Sequence, residues 1–213
     1  MGVCIAGAAA VIDFRDHAMN LSQYAIAAVP ILMACSLVLL IGFGWRGTQI
    51  ALSVQYLAVF WLVTLSWPIG MAAVKLVVGL MASAVLANTQ PGASDGETDV
   101  LPRSGRVFRA LAALLVWIVV ISVSPSIMSM THVGQETSLG SLVLMSMGLL
   151  QMGMNRRPAR VVIGLLTFLA GFEILYAALE VSVLVAGLLA AINLALALVG
   201  AYLAAVPSMD NDQ

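Results

Sequence analysis

The chain has 213 residues, of which 62% are hydrophobic and 9% charged, with a formal net charge of -1 and a mean hydropathy of +1.07. Soluble domains carry about 25% charged and 45–50% apolar residues, so this composition excludes a soluble globule and places the chain in the membrane class. The near-zero charge and the lack of any basic tract also exclude nucleic-acid binding as its main task.

A spanning helix needs about 20 mostly apolar residues. Seven stretches meet or approach that length: residues 21–43, 48–66, 68–87, 107–123, 138–154, 161–179 and 182–206. The N-terminal segment, residues 1–20, is apolar from Val3 to Ile12 and is then broken by Asp13, Arg15, Asp16 and His17. It lacks the basic leading region of a cleaved signal peptide, and Met19 is an alternative start. Pro30 should kink the first span. Trp45-Arg46-Gly47 reads as a compact turn after it, and Trp67-Pro68 as the next turn.

The polar linker 88–106 follows, with Pro91, Gly92, Gly96, Pro102 and Gly105 among Asp95, Glu97, Asp99, Arg103 and Arg106. It separates a group of three spans, 21–87, from a group of four, 107–206. Residues 125–137 read as a loop, and Asn155-Arg156-Arg157-Pro158 as the turn after it. No local breaker divides residues 160–206, but 47 residues in one helix would run about 70 Å, more than twice the hydrocarbon thickness. A turn near Glu180 resolves this. An acidic tail, 207–213, ends the chain. The expected fold is therefore all-α and polytopic, with about seven transmembrane helices.

Lys and Arg in loops orient such a protein. Arg46, Arg103, Arg106, Arg109, Arg156, Arg157 and Arg160 fall in or beside the first, third and fifth loops; of the other basic residues, Arg15 precedes the first span and Lys75 lies within one. This pattern places those loops and the tail with Asp210 and Asp212 in the cytoplasm, and the N-terminus outside. The expected location is a bacterial-type cytoplasmic membrane.

The informative residues are the polar ones at membrane depth, because a charge at the bilayer centre costs about 2.5–3.5 kcal/mol or more. Lys75 lies 12 residues from Ala87, and Glu173 lies 12 residues from Val161, so each sits about 18 Å from the same side of the bilayer. Opposite charges at one height are placed to pair if their helices are neighbours. Alternatively, Lys75 can extend its stem to the outer boundary, about 10 Å away. Glu173 is too short to do so, which favours proton exchange or partner binding. Glu180, seven residues on, shares its helix face near the outer surface or is simply solvated at a turn. Asn193 lies mid-span and needs a partner, as a transport ligand or as helix–helix glue. Lys75, Glu173, Glu180 and Asn193 are thus the candidate proton or ion-path residues.

Other features read as packing. Gly187 and Ala191, beside Ala186 and Ala190, form small-residue ridges that let helices approach closely. Met145, Met147, Met152 and Met154 fill irregular gaps. Trp45, Trp61, Trp67 and Trp117 include two at span ends, suited to an interfacial belt. Cys4, Cys35, His17 and His132 have no metal-ligand spacing, and no phosphate loop or nucleophile motif is present. No cofactor, metal or catalytic residue is expected, and no independent enzyme.

Two segments carry a family resemblance: Ala72-Ala73-Val74-Lys75-Leu76-Val77-Val78, and Gly148-Leu149-Leu150 through Arg156-Arg157 to Val162-Ile163-Gly164-Leu165 and Gly171. In them the chain resembles hydrogenase-4 component E, a membrane subunit of energy-converting hydrogenase complexes related to complex I. The three C-terminal spans, about 138–206, are similar to the small complex I subunit NuoK. The family usually places Glu, Asn and Gly where this chain has Leu169, Ala170 and Gly171, whereas here the carboxylate is Glu173, one turn later on the same face. The resemblance implies a non-catalytic subunit of a proton- or ion-translocating complex, with other integral membrane subunits, antiporter-like ones among them, and lipid as partners. Two further readings of the residues stand beside it: a structural scaffold subunit of a respiratory or photosynthetic assembly, and a small stand-alone transporter. The last is disfavoured by the lack of an internal repeat.

Overall fold

The computed structural model describes residues 27–42, 44–88, 103–131, 133–155, 157–180 and 182–205. The expected acidic tail, the N-terminal segment 1–26 and most of the polar linker (89–102) lie outside the described residues. Every regular element described is a helix: α1 (Ala27–Ile41), α2 (Gly44–Val63), α3 (Ile69–Asn88), α4 (Arg103–Thr131), α5 (Gln135–Met154), α6 (Pro158–Leu179) and α7 (Val183–Ala205). The chain is a multi-pass helical membrane protein by helix length and hydropathy, and among the described residues α3 to α7 are the five helices long and apolar enough to cross.

The first two expected spans fall short of that measure for different reasons. The described part of α1 has 15 residues, and the predicted start at residue 21 is not described. In α2, Thr48, Gln49, Ser53 and Gln55 lower the average. Those side chains turn inward, while Ile50, Val54, Leu57 and Trp61 face out. An average over all faces therefore understates how apolar the outside of α2 is.

Three boundaries differ from the sequence reading. Arg46 and Gly47 belong to the first turn of α2, and the bend before it rests on Gly42 and Gly44, whose φ values of 75° and 82° only glycine adopts freely. Arg160 packs against Gly42, where a side chain would collide with the guanidinium. The expected loop 125–137 is mostly helix: α4 continues through Pro125 to Thr131. Proline removes one backbone bond, whereas ending the helix there would free several, and the helix persists. Finally, α6 stops at Leu179, and Glu180 is extended (φ -150°, ψ 144°), so Glu180 has left the helical face of Glu173.

Successive helices run in opposite directions, and contacts tie their ends together. At one end, Arg109 of α4 donates to Leu40 O at 2.6 Å and to Met154 O at 3.5 Å, capping the last carbonyls of α1 and α5 with a cation. Gly200 of α7 meets Val162 of α6 and Leu86 of α3 at the same end. At the other end, the Trp67 indole donates to Glu180 O at 3.4 Å, joining the α2–α3 turn to the α6–α7 turn. Trp67 is buried, so it is an internal pin and not part of a lipid-facing belt.

The closest helix pair is α5 and α6. An ideal Cβ on Gly148 would fall 2.5 Å from Phe168 N, and one on Gly171 would fall 2.7 Å from Ser141 O. These glycines let two backbones touch. On α7, by contrast, the buried stripe is Leu189, Asn193, Ala197 and Gly200. The ridge expected at Gly187 and Ala191 is exposed, with nothing within 4 Å of a Gly187 Cβ. The core joins Leu32, Leu52, Leu62, Leu86, Leu144 and Leu166 across five helices, and Met147 lies in a second cluster with Leu40 and Val143.

Candidate functional site

Three helices bring their deep polar residues to one place. The α3–α7 and α6–α7 contacts set Lys75, Glu173 and Asn193 side by side. The Lys75 Nζ forms an ion pair with Glu173 Oε1, and Asn193 Nδ2 donates to the same oxygen at 2.7 Å. All three residues are buried, Glu173 at 3% exposure and Asn193 at 2%. The equal depths read from the sequence thus become a contact, and Lys75 turns inward, away from the membrane surface.

The cluster retains unused hydrogen-bonding capacity. Among the described residues, Lys75 Nζ has the charge of Glu173 but no further acceptor, and Asn193 Oδ1 has no donor. Tyr56 of α2 adds a third group. Its ring packs on α3 at Gly79, where an ideal Cβ would lie 2.5 Å from Tyr56 Cδ1, one turn from Lys75. Among the described residues the buried hydroxyl has no hydrogen-bond partner. A buried polar group without a partner costs roughly 1–3 kcal/mol, so these spare donors and acceptors are groups that water would satisfy.

Tyr56 was not among the residues selected from the sequence, nor were Gln49 and Gln55 on the same helix. Both glutamines are buried, and both atoms of each amide lack partners among the described residues. Their signal was present: two glutamines in a 20-residue helix that also carries the outward stripe Ile50, Val54 and Leu57. Of the buried hydroxyls elsewhere, Thr167, Ser141 and Ser36 bond to carbonyls of their own helices, while Ser138 Oγ has no partner among the described residues.

Of the four candidates, the structure brings together Lys75, Glu173 and Asn193 and leaves Glu180 out. Glu180 is exposed at the far end of α6, and its backbone, not its carboxylate, makes the contacts that hold the turn. Among the described residues no group of three His, Cys, Asp or Glu side chains could hold a metal ion. Comparisons with protein-family models, curated proteins and solved structures find no match for this chain.

Proposed function

We propose that this protein is a non-catalytic subunit of a larger proton-translocating membrane assembly, in which the Lys75–Glu173 pair is a protonation site on a polar path. The observation that carries this reading is a carboxylate, an ammonium, an amide oxygen and a phenol gathered at membrane depth with bonding capacity to spare. A pair serving only to pin helices would gain from complete satisfaction, because every unfilled donor or acceptor in a low dielectric costs energy. Spare groups let a proton move between oxygen and nitrogen atoms through water without first breaking the fold.

Partners are supported by the outer faces. Val107, Leu111, Leu114, Leu115, Ile118 and Ile121 give α4 an exposed, largely apolar face, on which Ser122 bonds to its own helix at Ile118 O, available to lipid or to neighbouring subunits. The arginine-bearing end is assigned to the cytoplasm, the acidic tail with it, in a bacterial-type inner membrane. Antiporter-like subunits remain the expected neighbours, as the likeness to hydrogenase-4 component E implies.

The test is to extract the protein gently from native membranes with its companions, reconstitute the complex and follow proton uptake into vesicles. Glu173→Gln keeps an amide oxygen that accepts from Asn193 and Lys75, so the complex assembles, and proton translocation is lost. Normal translocation in that variant overturns the reading in favour of a scaffold subunit. Recovery of the protein as a monomer that carries protons unaided overturns it in favour of a stand-alone transporter.

A further inference from the structure

We infer that the seam between α2 and α3 is a hydrated half-channel that gives the Lys75–Glu173 pair proton access from the arginine-bearing end of the bundle and from that end only. The inference rests on the proton-translocation reading for its purpose, but its geometry stands on separate residues.

Tyr56, Ser53 and Gln49 fall at successive spacings of three and four on α2, and Lys75, Gly79 and Ser83 fall at spacings of four on α3. Each set therefore lines one helix face. The two faces meet, because Tyr56 lies on Gly79 and Ser53 Oγ is 2.8 Å from Ser83 Oγ. The result is a polar file from the ion pair past the Tyr56 hydroxyl and the serine pair to Gln49, which is five residues, or about 8 Å, from the start of α2. Ser53 Oγ spends its one proton on Gln49 O at 3.0 Å, so Ser83 is the donor to Ser53. Gln49 is 93% buried, with neither its amide nitrogen nor its oxygen partnered among the described residues.

Water fits these unfilled groups. A buried water needs two to four polar partners, and the file offers the unpartnered Gln49 amide, Tyr56 hydroxyl, Asn193 Oδ1 and Lys75 Nζ, with the bonded serine hydroxyls among them able to accept. Gly79 has a specific part in this. Any side chain there would displace the Tyr56 ring from between the serines and the pair.

The opposite direction is sealed. One turn beyond Lys75, Glu173 and Asn193 on their own helices stand Ala72, Ala177 and Leu189, all buried and apolar. Val63 adds to this plug, and buried Trp67 closes the end of the bundle. Toward Gln49 the same helices also carry buried apolar residues, Ala170 and Ala197, but on that side the α2–α3 seam adds Ser53, Ser83 and Gln49, whereas Ala72, Ala177, Leu189 and Val63 offer no polar side chain. Proton transfer along the file takes one proton from water at the open end and adds it to a carboxylate oxygen of Glu173; release returns the same proton to water. The second half of a transmembrane route must then come from elsewhere, which is what a subunit of a larger assembly requires.

The experiment reads water access without relying on pumping. In a Cys4→Ser/Cys35→Ala background, Ser83→Cys and the control Ala177→Cys are treated with a membrane-impermeant thiosulfonate in sealed native vesicles of either orientation. Thiols react as hydrated thiolates, so Ser83→Cys should react at least about tenfold faster than Ala177→Cys, and only from the arginine-bearing face. Ser53→Cys, the other half of the hydroxyl pair, should behave like Ser83→Cys and substitutes for it if that variant does not fold. Equal rates at the test and control positions, or reaction from the opposite face, overturn the half-channel even if Glu173→Gln abolishes pumping. Fast one-sided reaction with unimpaired pumping in Glu173→Gln leaves the half-channel standing and removes the translocation reading.

Discussion

Burial strips Lys75 and Glu173 of the hydration each would have in water, and only their mutual attraction and the Asn193 hydrogen bond offset that loss. Removing one partner should cost far more than removing both. Lys75→Met leaves the Glu173 carboxylate uncompensated at 3% exposure and is expected to lower stability by about 3–5 kcal/mol. Lys75→Met/Glu173→Leu should recover most of that loss. Thermal inactivation in detergent, followed by size-exclusion chromatography, checks both. A double variant as fragile as the single one would show that the charges do not compensate each other. The two charges were legible in the sequence because a charge in an apolar run stands out, and helical rise fixed their equal depth. Tyr56 and Gln49 were not, because amphipathic and neutral polar residues carry no such contrast; only their lack of partners in the folded bundle marks them.

At the scale of elements, glycine has two opposite meanings in this chain. Gly148, Gly164 and Gly171 lie where α5 and α6 bring their backbones into contact, and Gly187 faces outward with nothing near it. Gly148→Ala should therefore destabilise the α5–α6 pair by about 1–3 kcal/mol, since the added carbon meets backbone and not a side chain that can turn aside. Gly187→Ala should be neutral, or stabilising by up to about 1 kcal/mol from helix propensity. Comparing the yield of folded protein in detergent for the two variants checks the contrast. The sequence could not separate these cases, because a small-residue spacing is the same whether it faces a neighbour or lipid. The same holds for Pro125: a proline in the sequence reads as a helix stop, but here it costs a single backbone bond inside a helix that continues to Thr131.

At the scale of the whole molecule, the arginines are structural as well as topogenic. Arg109 closes the ends of α1 and α5, and Arg160 lies against Gly42 at the α1–α2 bend, so the basic loops converge at one end of the bundle. Glu136 stands at the other end, in the first turn of α5, where a helix N-terminus favours a negative charge. The confinement of the basic residues was visible in the sequence as arginines in alternate loops, and the fold gives it a packing basis. It also fixes what an orientation experiment must find. Gly153 and Ser66 are both exposed and lie at opposite ends, Gly153 near the Met154 carbonyl that Arg109 caps and Ser66 beside the Trp67 pin. In a cysteine-free background, Gly153→Cys should be labelled by an impermeant thiol reagent only in inverted vesicles, and Ser66→Cys only in right-side-out vesicles. Labelling of both from one side would break the alternation of helix directions. Labelling with the two sides exchanged would keep the bundle and place the open end of the α2–α3 seam outside, so that Glu173 would draw its protons from the external medium.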